Sequence, residues 1–410
     1  MNEQSIVKPS AILILERAQG NGGSLEIYGE ASPETLYNYS DSLKANGFSV
    51  LAENRIGENL YVTLCDGKTY LHVGYSAYNR TLRVSNDPMD RALLPTDQTD
   101  CGEAVADTTL AVFALDYSHR EVTDGNGMCY VVILEDGRYL IMDGGYRNDA
   151  NRLFNFLVDN NRRKDGRIVV AAWFFTHAHS DHYGAFLSFT DRYADRVTVE
   201  RAVFNPTTSE CFENGNGYGP FFSDEIGKYL SKYGEVKQIT PHAGQILRLG
   251  DVEMEVYYTH EDCAPDFLPY MNDSSTVVRM TAKGQTVFFP GDCEKFTSTL
   301  ISALHGKALK SDFLQINHHG YSGGTVELYE LVNPDYAMWP TSRDAFELRV
   351  TGNRYQWIGN ALGSNCYIYG KVGREGCIVA DNGVQMITFP LRSATEITCY
   401  TPDDSVRGEK

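Results

Sequence analysis

The chain has 410 residues, 42% hydrophobic and 22% charged, which fits a soluble globular protein of two domains with ample material for a core. A net charge of -18, from 36 Lys+Arg against 54 Asp+Glu, repels polyanions and excludes a surface built for nucleic acid or an anionic membrane. Nine scattered cysteines without a C-x-x-C pair exclude a disulfide framework and a cysteine-built zinc site, and fit a reducing compartment. The opening residues lack the basic start and long apolar stretch of a secretory signal. The longest apolar run, Ile168 to Phe175, is too short for a bilayer, so a cytoplasmic protein without a membrane partner is expected.

Residues 1–105 read as a small α+β accessory domain. SLEIYGE, from Ser24, predicts a strand. Ser32-Pro33-Glu34 then supplies an N-cap, a proline at the first helical position and an acidic first turn. Leu36, Tyr39 and Leu43 keep one helix face apolar, and Gly47 ends it. FSVLAE, LYVTLC, TYLHVGY and TLRVS follow as strands between Gly, Asp and Asn turns. The polar stretch Asn86 to Ala106 reads as a linker. His72 lies within a strand pattern and reads as an ordinary histidine. Nothing in this unit carries chemistry, and its role is open between covering an active-site mouth, mediating dimer contacts and recruiting a partner.

Residues 106–395 show an internal echo. CYVVILEDGRYLIMDGG, Cys129 to Gly145, is strand, turn, strand, then Asp-Gly; STVVRMTAKGQTVFFPGD, Ser275 to Asp292, repeats the plan. Each is followed by a helical stretch and a strand, the first ending at His177 and the second at His318-His319. Two such halves predict a pseudo-twofold α/β sandwich with its site between them. His119 and His305 read as surface residues. The tail, 396–410, ends in TPDDSVRGEK, which reads as disordered.

The chemistry concentrates in FFTHAHSDHYGAF, Phe174 to Phe186, where three of the ten histidines and one aspartate fall within six positions. The apolar strand before them presents these residues from a rigid end. Neutral imidazole and carboxylate are the ligands of Zn²⁺ and similar ions. His177 and His179 are placed to grip one ion, with Asp181 and His182 turning toward a second.

T-H-A-H-S-D-H resembles the signature of the metallo-β-lactamase superfamily, and the resemblance runs from about Ala111 to Pro390. It implies a four-layer αβ/βα sandwich with a one- or two-metal site at its edge. LIMDGG resembles the family's early Asp-Gly, with Asp143 as a supporting residue. FFPGDCE resembles the segment whose aspartate, here Asp292, bridges two metals, and INHHGYSG resembles the last ligand segment. NDSSTVVRM followed by PGD and HHG looks most like two groups, the hydrolase domain of DNA-uptake competence proteins and the phosphorylcholine esterase-like phosphodiesterases. Both imply phosphoester chemistry. The phrase G-H-T of true β-lactamases and glyoxalase-type enzymes is missing, which counts against lactam and thioester substrates.

A third histidine is then to be sought between Asp181 and Asp292. His260, in EVYYTHED, ends a strand-like run and is favoured over His242, which sits in a Gly-bounded turn and is expected to face solvent. Of His318 and His319, the resemblance favours His319 as ligand and leaves His318 to donate to a substrate oxyanion. One ion is thus assigned to His177, His179 and His260, the other to Asp181, His182 and His319, with Asp292 between them. Asp181, Asp292 and His318 are the expected catalytic residues. Two dications about 3.5–4 Å apart share and activate a water, so hydroxide on the ions is the expected nucleophile. Zn²⁺ is the first expectation, with Mn²⁺ and Fe²⁺ open. Tyr183 and Tyr321 flank ligand segments, and Cys293 reads as a small buried residue.

The reading is therefore a metal-dependent hydrolase of a small phosphoester, acting on a small-molecule substrate and not on nucleic acid; a homodimer is open. The alternatives are iron-dependent oxygen or sulfur chemistry, hydrolysis of a carboxylic ester, thioester or lactone, and a non-catalytic binding protein. Electron-transfer relatives usually carry Glu where His179 stands, which disfavours that branch.

Overall fold

A computed structural model of the chain describes residues 6–115, 127–213, 219–351, 362–381, 383–401 and 403–405. His119 lies outside them.

Alternation of side chains along the strands builds the layers. In the hairpin Cys129–Ile133 and Tyr139–Asp143, Tyr130, Val132, Leu140 and Met142 face one way; Val131, Ile133, Tyr139 and Ile141 face the other. The first set packs on Met254, Val256, Met280, Val287 and Phe289 of a second sheet. The other set packs on Leu153, Phe154, Phe186 and Phe189 of the helices Ala150–Asp159 and Ser180–Tyr193. The second sheet in turn buries Tyr257, Val277 and Phe288 against Ile301, Leu328 and Ile368 of helices on its far side. Helix, sheet, sheet, helix is the four-layer αβ/βα sandwich. Strands buried on both faces read as nearly continuous apolar runs.

In the first sheet the strands lie in the order Lys237–Ile239, Arg201–Val203, Ile168–Phe174, Tyr139–Asp143, Cys129–Ile133, Thr109–Val112, Val384–Thr388 and Thr398–Tyr400. The second runs Ile246–Leu249, Val252–Tyr258, Val277–Ala282, Gln285–Phe289, Phe313–Gln315, Tyr336–Trp339 and Cys377–Val379. Ile168–Phe174 and Phe313–Gln315 each lie parallel to the second strand of their preceding hairpin, so the echo in the sequence is a repeat in topology.

The accessory unit is a six-stranded antiparallel sheet with the helix Pro33–Ala45 on one face. Ser32 caps that helix reciprocally with Thr35, and Leu36, Tyr39 and Leu43 are its buried residues. The edge strand Ile12–Ala18 has no counterpart in the sequence reading, because its Ile12, Leu13 and Ile14 are exposed and show no buried face. The other face of the sheet docks on the sandwich. Arg83 donates to the carbonyls of Glu261 and Asp262 at 3.1 and 2.9 Å, and His72 Nε2 pairs with the carbonyl of Ala243 at 2.8 Å.

The stretch read as a linker, Asn86 to Ala106, runs along the sandwich: Thr99 N donates to Arg248 O at 3.1 Å and Val105 N to Glu135 O at 2.8 Å. Three sequence expectations need correction. His305 is buried, its Nε2 paired with the Tyr257 carbonyl at 2.7 Å. His242 is buried rather than facing solvent, for the reason given below. Within TPDDSVRGEK, Asp404 is held by Arg152, whose Nε and Nη2 each donate to it at 2.5 Å; 402 and 406–410 lie outside the described residues.

Candidate metal centre

Adjacent parallel strands deliver the first group of residues. Asp143 ends one, and Ile168–Phe174 leads into Thr176 and His177 beside it. Asp143 is fully buried and accepts from Thr176 N at 2.8 Å and Thr176 Oγ1 at 2.7 Å. Its Oδ2 also lies 2.7 Å from His182 Nδ1, so the carboxylate fixes the ring and leaves Nε2 facing forward. His179 is the N-cap of the helix Ser180–Tyr193, which places Asp181 and His182 in its first turn. The Nε2 of His177 is 3.0 Å from Nδ1 of His179.

The second half brings Asp292 and the histidine pair. Ser275 Oγ accepts from Asp292 N at 3.1 Å, and His318 N donates to Gly291 O at 3.1 Å. Around the single oxygen Asp292 Oδ2 stand the Nε2 atoms of His182 at 3.0 Å, His319 at 3.2 Å, His318 at 3.7 Å and His177 at 4.0 Å. Asp181 Oδ2 lies 3.5 Å from His319 Nε2 and 3.7 Å from His182 Nε2. Asp181, His182, Asp292 and His319 each place a donor atom within 4.8 Å of the others.

The histidine pair departs from the strand-end geometry expected of it. His318 and His319 are both left-handed, at φ 44° and 55°, and Gly320 follows at φ 82°. Two successive left-handed non-glycine residues are strained, and this turn aims both imidazoles at Asp292. The surroundings hold it. Arg349 Nη1 donates to His319 O at 2.7 Å, Asn365 Nδ2 donates to Gly320 O at 2.8 Å, and a Cβ on Gly320 would lie 2.7 Å from the Trp339 ring.

Electrostatics separate the groups. Burial, then the charges of His182 and His179, hold His177 well below the usual imidazole range, in the neutral form that binds ions. Burial also lowers His179. For His182 burial is outweighed by Asp292, Asp143 and Asp181, which hold it well above that range; for His319 burial is outweighed by Asp292 foremost, which raises it. Asp292 and Asp181 lie below the ordinary carboxylate range because the neighbouring histidines, His182 first, outweigh their burial.

The donors fit divalent cations. Asp292 Oδ1 and both ring nitrogens of His319 are buried with no hydrogen-bond partner, which a fold tolerates where something else is to be bound. His177, His179, Asp181, His182, Asp292 and His319 therefore form one constellation. Its mutually close donors are Asp181, His182, Asp292 and His319, with His177 and His179 beside them, and His260 is not among the four. It follows the strand Val252–Tyr258, and its Nδ1 lacks a hydrogen-bond partner. Burial pushes the neighbouring Cys211 thiol up, but His260 brings it down to about 6. His242 is saturated on both sides: Nδ1 lies 2.7 Å from Glu261 Oε2 and Nε2 2.7 Å from Asp87 Oδ2. Its two carboxylates explain why this histidine is buried.

Residues 122–327 match the metallo-beta-lactamase superfamily over half of the chain. The chain belongs to that superfamily. Superfamily members are mostly hydrolases or related metalloenzymes, with divalent ions in a dinuclear site. No curated protein matches the chain. Solved structures to which it is similar include CmlA, a diiron beta-hydroxylase from Streptomyces venezuelae, at 13% identity and a TM-score of 0.38, over 74% of this chain and 55% of that one. The chain thus spans about half the length of that hydroxylase. Zn²⁺-bound PqqB from Methylobacterium extorquens is similar at 13% identity and a TM-score of 0.35, over 51% of this chain and 72% of that one. A possible metal-dependent hydrolase from Veillonella parvula gives 13% and 0.33, over 62% and 97%.

Other residues of this superfamily site had no flag in the sequence reading. Glu294, Ser322 and Asn272 surround His318, while Arg349 and Asn365 brace its turn from outside the matched segment. Asn272, Glu294 and Ser322 lie in stretches the motifs pointed to, NDSS, GDCE and HHGYSG, whereas Arg349 and Asn365 do not. Tyr183 is turned away to Glu225, its hydroxyl donating at 3.0 Å. Tyr321 packs its ring 5.5 Å from that of His318, and Cys293 is fully buried. No helix among the described residues is long and apolar enough to cross a membrane.

Proposed function

We propose that the chain is a dinuclear metal-dependent hydrolase of small phosphoesters. The observation that carries this reading is the convergence of four imidazole nitrogens within 4.0 Å of one Asp292 oxygen, beside a second carboxylate on Asp181. His177, His179 and Asp292 would hold one ion; Asp181, His182, His319 and Asp292 would hold the other. His260, set beside Cys211, is needed for neither group. Such ions supply an activated water at neutral pH and polarise the ester oxygen.

The chain's own residues do the arranging. Asp143 fixes the tautomer of His182, and Ser275 holds the backbone of Asp292. Asp181 and Asp292 offset part of the cationic charge, which leaves the centre able to take a singly charged phosphodiester and release its product. His179, Asp181 and His318 are partly exposed and so form the face that meets substrate. The NDSS, PGD and HHG segments support a phosphoester over a thioester or lactam. The accessory sheet is proposed as a fixed part of the fold, and the locale as cytoplasmic.

The test is a hydrolysis panel on zinc- or manganese-loaded protein: bis-aryl phosphates, phosphomonoesters, carboxylic esters, thioesters and lactones. Turnover of a phosphodiester that disappears in Asp292→Asn is the expected result. Turnover confined to thioesters or lactones, or oxygen uptake with an iron-loaded chain, would replace the phosphoester reading.

A further inference from the structure

The helix Lys295–His305 begins in an unusual way. Its N-cap is Glu294, whose side chain makes no capping hydrogen bond. Ser, Thr, Asp and Asn are the residues that normally cap a helix, and an idle glutamate there needs another explanation. Asp273 takes the capping task from outside, its Oδ1 accepting from Glu294 N at 3.1 Å and from Thr297 Oγ1 at 2.6 Å. The glutamate is thereby free to turn toward His318.

Glu294 Oε1 lies 2.9 Å from His318 Nδ1 and accepts from Ser322 Oγ at 2.7 Å and from Asn272 Nδ2 at 3.0 Å. Ser322 Oγ is also 2.6 Å from His318 Nδ1. Proton counting settles who donates. Ser322 has one hydroxyl proton and Glu294 none, so with the serine donating to the carboxylate, Nδ1 must carry the proton that joins it to both oxygens. The opposite arrangement would set the lone pairs of Nδ1 and of Ser322 against those of the carboxylate. The neutral ring protonated at Nδ1 has a bare Nε2, and this is the atom aimed at Asp292 Oδ2 from 3.7 Å. A bare nitrogen binds a cation; it does not donate to an oxyanion.

We infer that Glu294 is a positioning residue of the metal centre, which with Ser322 fixes the tautomer and aim of His318 so that its Nε2 is an ion-binding atom. The inference rests on the reading of this cluster as a metal centre, and it changes the role of His318 from oxyanion donor to ligand. It also gives the strained turn a use: left-handed geometry at both histidines brings His318 Nε2 to the same carboxylate that His319 faces.

The experiment is titration of the metal-stripped full chain with Co²⁺, read by visible d–d absorption and by competition with a chelator. Wild type is compared with Glu294→Leu, Glu294→Gln, Ser322→Ala and His318→Ala. Loss of a carboxylate that orients a ligating histidine lowers metal affinity about 10–100-fold. Glu294→Leu is expected to weaken one cobalt ion by that factor and to move the absorption bands in the same direction as His318→Ala. Glu294→Gln keeps an acceptor for Nδ1–H and recovers most of the wild-type spectrum. Ser322→Ala shifts it less, and carries the test with Glu294→Gln if the leucine variant fails to fold. A Glu294→Leu chain that titrates and absorbs like wild type, or a His318→Ala chain with both ions and an unchanged spectrum, overturns the inference. No cobalt uptake by wild type would overturn the metal-centre reading itself.

Discussion

Among the described residues, two buried histidine–carboxylate clusters differ in what they leave unsatisfied. At the junction of the accessory sheet and the sandwich, His242 pairs both ring nitrogens with carboxylates, at 2.7 Å to Glu261 and 2.7 Å to Asp87. Gln19 and Asn205 donate to the same Glu261, and His72 stacks on the His242 ring at 5.4 Å. At the metal centre the ring nitrogens of His319 and one oxygen of Asp292 have no hydrogen-bond partner. Residue types are the same in the two places. A cluster whose central histidine is paired at both nitrogens is a clasp, whereas one whose central atoms converge without closing is built to receive something.

The sharpest way to break that contrast is to remove the central carboxylate. Asp292→Asn should cost the chain its ions and lower hydrolysis by about 100-fold or more, the scale of losing one preorganised electrostatic group. Ion content and phosphodiester turnover read this directly. His242→Ala should do the reverse. It leaves Asp87 and Glu261 buried without their partner and should cost about 3–5 kcal/mol of unfolding free energy, with ion content intact. Chemical denaturation and metal analysis on the same sample check both halves.

Smaller effects sharpen the comparison. Gly320→Ala puts a Cβ into a left-handed position against Trp339 and should cost about 1–3 kcal/mol, while loosening the histidine turn it follows. Reduced cobalt affinity with an intact accessory domain is the expected reading. The clasp should also respond to pH. Burial lowers His242, but Asp87 and Glu261 outweigh it and raise it well above the usual range. Its contribution is therefore full below the ordinary imidazole value and fades as pH rises through the raised one. Burial raises Glu261, but His242 brings it down to about 2, so its contribution is full above the ordinary carboxylate value and fades as pH falls toward 2. Urea midpoints should fall on both sides of mildly acidic pH, and His242→Ala should flatten the profile.

Much of this was legible in the chain because the signals are local. The hairpins at Cys129 and Ser275, the apolar strand before His177 and the cap at Ser32 all depend on neighbouring residues. The histidine and aspartate types named a metal centre, and the resemblance of FFPGDCE to a family segment named Asp292. What remained hidden was set by distant partners. His242 looked like a turn residue because Asp87 is 155 positions away in the sequence. Arg349 and Asn365 gave no signal, since they act on the carbonyls of His319 and Gly320 from helices that fold back over the turn. The strand Ile12–Ala18 was missed because its apolar side chains do not mark a buried face.

The most direct test of the central claim is the number of ions per polypeptide, by elemental analysis of the full chain purified without chelator or added metal, with His242→Ala and Asp292→Asn beside it. The account predicts near two ions in wild type and in His242→Ala, and a clear loss in Asp292→Asn. Ions lost from His242→Ala but kept by Asp292→Asn would mean that the clasp and the metal centre have been assigned the wrong way round.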